Sequence, residues 1–240
     1  MNTFDQAINQ HFSRSVTSTA FLDRIGSWAY GRNIAPDRTL PLVSICRDEL
    51  TSSLFEEIQL RWGVAFTLAG LGGVPALGTT GWNAAFSHIP DDSGRGAVLV
   101  FGFPHIGIEQ DGSVGVTIRE GQSRPTSTCG ALASIFRASQ SGTLPASIDI
   151  EDYEASKLAL RLVDPVDPPK TLVDLTVNAL EALEVDVWKA IDQHRLWADV
   201  DVAVFCGVQI HGHGNTTWIW PRDAWYAEPD GTRVRIDLTS

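Results

Sequence analysis

Apolar residues recur at helical spacing at Phe4, Ile8 and Phe12, and again at Phe21, Ile25 and Trp28, predicting a helical lead-in. The period then changes. Residues 39–46 (TLPLVSIC) form an apolar run of strand length, and Leu50, Leu54, Ile58 and Trp62 mark a helix over residues 48–62, so Cys46 ends the strand of a strand–loop–helix unit. Residues 70–90 lack sustained periodicity and are rich in Gly, Thr and Pro, which predicts a long ordered loop with a short helix near residues 82–86. A second buried strand over residues 96–103 leads to His105, and a turn at Asp111-Gly112 returns through residues 114–118. Ser127 and Thr128 are placed to cap a helix starting at Cys129 and ending near Ser139. Helices over residues 153–162 and 171–197, a third apolar strand over 201–210, a Gly/His loop and a last strand over 233–238 complete the pattern.

Strands alternating with helices predict an α/β fold with a partly parallel central sheet flanked by helices. No internal repeat or low-complexity linker divides the 240 residues, so the expectation is one domain: a lead-in over 1–38, a core over 39–211 and a C-terminal strand region over 212–240. In such sheets ligands bind beyond the carboxyl ends of strands, where Cys46 and His105 both fall.

Charge narrows the partners. A net charge of −11 and a pI near 4.9 argue against a protein that grips nucleic acid or an anionic membrane surface. No apolar run approaches the roughly 18 to 20 residues of a membrane span, and the start has neither a secretory nor a transit-peptide pattern, so the expected location is the cytoplasm. Three widely spaced cysteines, Cys46, Cys129 and Cys206, fit a reducing compartment better than a disulfide framework.

By residue type, Cys46, His105 and Cys129 form a Cys2His set of the kind that holds catalytic zinc with one position open. Their spacings of 59 and 24 residues carry little information, and two buried thiols with a hydrogen-bonded histidine are the plainer alternative. A helix N-terminus at Cys129 would favour its thiolate. Arg47 and Asp48, taken without the surrounding motif, read more readily as a solvated base beside a helix-capping acid. His88 is a candidate proton relay, with a structural loop histidine the equal alternative. His211 and His213 form a glycine-loop pair more consistent with exposure than with a second metal site, and Cys206 reads as a buried thiol. No dinucleotide fingerprint, Walker lysine, nucleophile elbow or deaminase motif is present.

Four ordered segments change the balance: SICRDEL (44–50), GTTGWNAAFSHIPDD (78–92), LVFGFPHIGIEQDGSVG (99–115) and STCGAL (127–132). Together they resemble the low-CO2-inducible B protein family, a branch of carbonic anhydrases similar in fold to the β class, over roughly residues 39–211. The resemblance implies a β-carbonic-anhydrase-like fold, a homodimer, and zinc held by Cys46, His105 and Cys129. It implies interconversion of CO2 and bicarbonate by attack of zinc-bound hydroxide, with Asp48 orienting the hydroxide and Arg47 pairing with Asp48. The order Cys-Arg-Asp departs from the Cys-x-Asp-x-Arg order of ordinary β-class enzymes. Because some members of the branch are catalytically silent, a zinc-binding inorganic-carbon sensor or docking protein is the alternative, and a zinc hydrolase acting on another electrophile is a further one.

Overall fold

The computed structural model describes residues 3–92 and 94–238. Residues 1–2 of the expected lead-in, residue 93 and residues 239–240 of the expected C-terminal region lie outside the described residues. In chain order the helices are α1 (Thr3–His11), α2 (Ser18–Gly31), α3 (Ser52–Trp62), α4 (Thr79–Phe86), α5 (Gly130–Ser141), α6 (Tyr153–Leu162) and α7 (Leu172–His194). The strands are β1 (Val16–Thr17), β2 (Thr39–Ile45), β3 (Phe66–Thr67), β4 (Ala97–Phe103), β5 (His105–Gly107), β6 (Val116–Thr117), β7 (Thr126–Ser127), β8 (Asp201–His211), β9 (Thr217–Ala227) and β10 (Arg233–Arg235).

The main sheet runs β1-β9-β8-β4-β2-β3, with β5 continuing along β8 and β10 along β9. Its centre is parallel, since β2 pairs with β3 and β4, and β4 and β5 pair with β8. β2 and β4 are buried at every position because helices cover both faces, and this is why their sequences are continuous apolar runs rather than alternations. Strand parity divides the core. Val98 and Val100 of β4 join Val202 and Val204 of β8 in a layer with Leu180, Leu183 and Val187 of α7. Leu99, Phe101 and Phe103 pack on the other side with Phe21 and Ile25 of α2 and Ile58 and Trp62 of α3. A third cluster caps the carboxyl ends of the strands, where Leu132 and Ile135 of α5 and Leu158 and Leu162 of α6 meet Cys46 and Cys129.

Besides the two-residue strands β1, β3 and β7, one long strand departs from expectation. The stretch read as a loop after residue 210 contains β9, an eleven-residue strand antiparallel to β8. Pro221 stands opposite Gly207 where the register shifts, so the bulge accepts a residue that has no N–H to give a regular ladder. No helix among the described residues is long and apolar enough to cross a membrane.

Candidate metal centre

β2 ends at Ile45 and sets Cys46 at the carboxyl edge of the sheet. β4 passes through Pro104 into β5 without changing register on β8, since Ala97 faces Asp201 and His105 faces Gln209, so His105 reaches the same edge. Cys129 is the residue from which α5 starts. The ligand atoms of Cys46, His105 and Cys129 all lie within 4.8 Å of one another, with the three residues buried. His105 Nε2 is buried with no hydrogen-bond partner among the described residues, an arrangement that a metal ion would complete.

The two thiols pull each other's pKa in opposite directions. A hydrogen bond from Cys129, helped by His105, pulls the Cys46 thiol down to about 3 against the effect of burial. The same contact, together with burial, raises Cys129 well above the ordinary thiol range.

Asp48 lies two residues beyond Cys46. Its Oδ1 accepts from Leu50 N at 3.2 Å, and its Oδ2 meets Arg119 Nη2 at 3.0 Å. Burial raises the Asp48 pKa, with the Leu50 N–H, His105 and Arg119 opposing. Arg119 is fixed by its other contacts, because Nη2 donates to Thr128 O at 3.0 Å, Nη1 to Ser127 O at 3.1 Å and Nε to Glu49 Oε1 at 2.6 Å. It thus ties the strand leading to Cys129 to the acid beside Cys46.

Arg47 does not hold Asp48. Its guanidinium pairs with Glu154 of α6, whose other oxygen accepts from Leu71 N at 2.7 Å. Successive side chains leaving a strand point to opposite sides, so the turn that gives Asp48 to Arg119 sends Arg47 outward, where its side chain is 56% exposed. His88 is likewise outside the cluster. α4 runs back along the sheet, and His88 follows it at the amino end of the strands. There its Nδ1 bonds Ala84 O at 2.6 Å and its ring lies on Phe66 of β3, just before Ile89 and Pro90 pack against Gly96, the residue preceding β4.

His211, expected in an exposed loop, is the last residue of β8 and is buried. Its Nε2 lies 3.1 Å from His105 Nδ1, and burial, with His105 and Arg119 nearby, holds its pKa well below the ordinary histidine value. His213 remains exposed, 3.5 Å from Glu109. Two further residues next to the cluster have buried polar atoms without partners among the described residues: Thr128, which precedes Cys129, and Gln209, the register partner of His105. Arg119 and Gln209 carried no signal as site residues in the sequence, because Arg119 lies in the segment between two motifs and Gln209 within an apolar strand, whereas His211 was weighed only as half of an exposed glycine-loop pair.

The family described as limiting CO2-inducible proteins B/C, β carbonic anhydrases, matches residues 15–227. Among curated proteins, none matches the chain. Among solved structures, the limiting CO2-inducible protein LCIB shares 28% identity and a TM-score of 0.76, over 95% of this chain and 96% of its own. PtLCIB4, a homolog of LCIB, superposes with a TM-score of 0.81 at 24% identity, covering 96% of this chain and 98% of its own. A mutant of PtLCIB4 reaches a TM-score of 0.84 at 22% identity over 100% of both chains. At these last two identities the likeness is one of fold.

Proposed function

This chain belongs to the limiting CO2-inducible B/C family of β-type carbonic anhydrases, and from that premise we propose that it is a zinc-dependent carbonic anhydrase that interconverts carbon dioxide and bicarbonate. The observation that carries the reading is the convergence of Cys46, His105 and Cys129 on one point at the carboxyl edge of the parallel strands. Two sulfurs and one imidazole suit zinc and leave a fourth position open. Zinc, when bound there, supplies the Lewis acidity that makes water a nucleophile near neutral pH.

The chain's own residues do the rest. Asp48, fixed through Leu50 N and Arg119, offers a carboxylate that accepts a hydrogen bond from the attacking water and so aims its lone pair at carbon. Arg119 supports the ionised form of Asp48 through a charge-assisted bond and keeps the carboxylate turned towards itself rather than towards the ligands. The role first expected of Arg47 passes to Arg119 in this reading.

Support for a single domain comes from one sheet that takes strands from β1 near the start to β10 near the end. Three unpaired buried thiols are consistent with the cytoplasm. The test joins metal analysis to stopped-flow carbon dioxide hydration. The expected result is one zinc per chain, lost in Cys46→Ser and in Cys129→Ser, with hydration that follows zinc content. Full zinc retention in both serine variants would sink the ligand assignment, and a zinc-loaded parent with no hydration activity would sink the enzymatic one.

A further inference from the structure

His105 and Gln209 face each other across the parallel pair β5 and β8, and His211 lies two residues further along β8. Side chains of registered partners share a face of the sheet, and the strand period of two returns His211 to that face. The two imidazoles meet there edge to face, with ring centroids 5.2 Å apart and planes at 90°. His105 Nδ1 and His211 Nε2 are 3.1 Å apart, a hydrogen-bonding distance that requires one shared proton.

That proton has two possible owners. If His211 carried it, His105 Nδ1 would be the acceptor, and a neutral His105 would have its own proton on Nε2, the atom that has no partner among the described residues and that a metal would need bare. If His105 Nδ1 carries it, Nε2 of a neutral His105 is a lone pair on the side of the thiols.

We propose that His211 is the positioning residue of the metal centre: its Nε2 accepts the His105 Nδ1 proton, which fixes both the ring angle of His105 and the tautomer whose Nε2 is a ligand. The inference rests on the zinc reading of Cys46, His105 and Cys129. It goes beyond that reading by assigning work to a histidine that touches neither metal nor substrate. An acceptor that holds a ligating histidine in this way is worth about 10- to 100-fold in metal affinity.

The experiment compares the parent with His211→Leu, which removes the acceptor, and His211→Gln, whose side-chain carbonyl restores one. Zinc affinity is read by chelator competition, and ligand-field geometry by the absorption of the cobalt-substituted proteins. The expected result is a loss of affinity of about 10- to 100-fold with altered cobalt bands in the leucine variant, largely recovered in the glutamine variant. Metal-free melting curves show whether either variant is folded. Parent affinity and parent cobalt bands in a folded His211→Leu would overturn the proposal.

Because His211 is buried and the leucine variant can fail to fold, nitrogen NMR of the parent's histidines supplies a second reading that needs no substitution. It should show His211 protonated at Nδ1 and bare at Nε2, with His105 Nδ1 carrying its proton, and the opposite assignment overturns the proposal. A parent chain that binds no zinc would defeat the metal reading, whereas the NMR assignment would still decide which ring donates.

Discussion

Arg119 Nη2 serves Asp48 Oδ2 and Thr128 O at once, so one guanidinium sets the distance between the segments on either side of the ligand cluster. Arg119→Ala should keep the three ligands but free the carboxylate. We expect zinc to be retained, hydration to fall at least about tenfold, and an oxygen ligand at about 2.0 to 2.2 Å to appear in the X-ray absorption spectrum as Asp48 turns to the metal. An unchanged rate with an unchanged spectrum would remove Arg119 from the mechanism. Glu184 on α7 tests a different property. Burial first, then Asp223 and Glu181, raise its carboxyl to about 7 against the pull of Arg222, and its Oε1 has no partner among the described residues. Its folded-state pKa lies above the unfolded value of about 4.5, so the folded chain binds the extra proton and stability falls as pH rises between these values. Glu184→Gln should therefore melt close to the parent at about pH 5 but about 2 to 4 °C above it at about pH 8, with solvent access moderating the gain. Equal melting temperatures at both pH values would count against this charge penalty. The convergence of Cys46, His105 and Cys129 was legible because ordered motifs surround them. The partner of Asp48 was not, because adjacency along the chain named Arg47 while the turn after β2 put Arg119 in reach.

At the scale of elements, α7 shows how local signals and packing agree. Thr171 accepts from Asp174 N while the Asp174 carboxylate accepts from Thr171 N, a reciprocal cap. Leu175, Ala179, Leu180, Leu183 and Val187 then lie on its buried side. Thr171→Ala should cost about 1 kcal/mol, seen as a melting temperature lowered by about 2 to 4 °C in a chain of this size, with zinc content unchanged. The central strands were legible for the same reason, since β2 and β4 are buried throughout and read as unbroken apolar runs. β9 was hidden because Trp218, Trp220 and Arg222 are only partly buried, which blurs the alternation, and because Pro221 reads as a breaker until the bulge opposite it is known. The position of His88 within the chain follows from direction. A helix joining two parallel strands must return the chain to their amino ends, so a residue between α4 and β4 is delivered away from the rim that holds Cys46 and His105.

For the whole molecule, the family relationship supports self-association, and we expect light scattering to give about twice the 26.1 kDa of one chain. A monomer at assay concentration would count against it. The sheet also governs when a metal can be held. Cys46, His105 and Cys129 are separated by 59 and 24 residues and meet only through the pairing of β2 with β4 and of β4 and β5 with β8, followed by the docking of α5. In the unfolded chain the three donors sit on long loops whose closure is entropically costly, so high affinity belongs to the folded form alone. On the proposed zinc reading, uptake of the ion is thermodynamically linked to folding, and we expect the melting temperature to climb with the logarithm of free zinc above its dissociation constant and to drop to a floor in chelator. On that reading supply of the ion would be a determinant of how long the protein survives, since a zinc-starved cell would hold the same polypeptide in a less durable state.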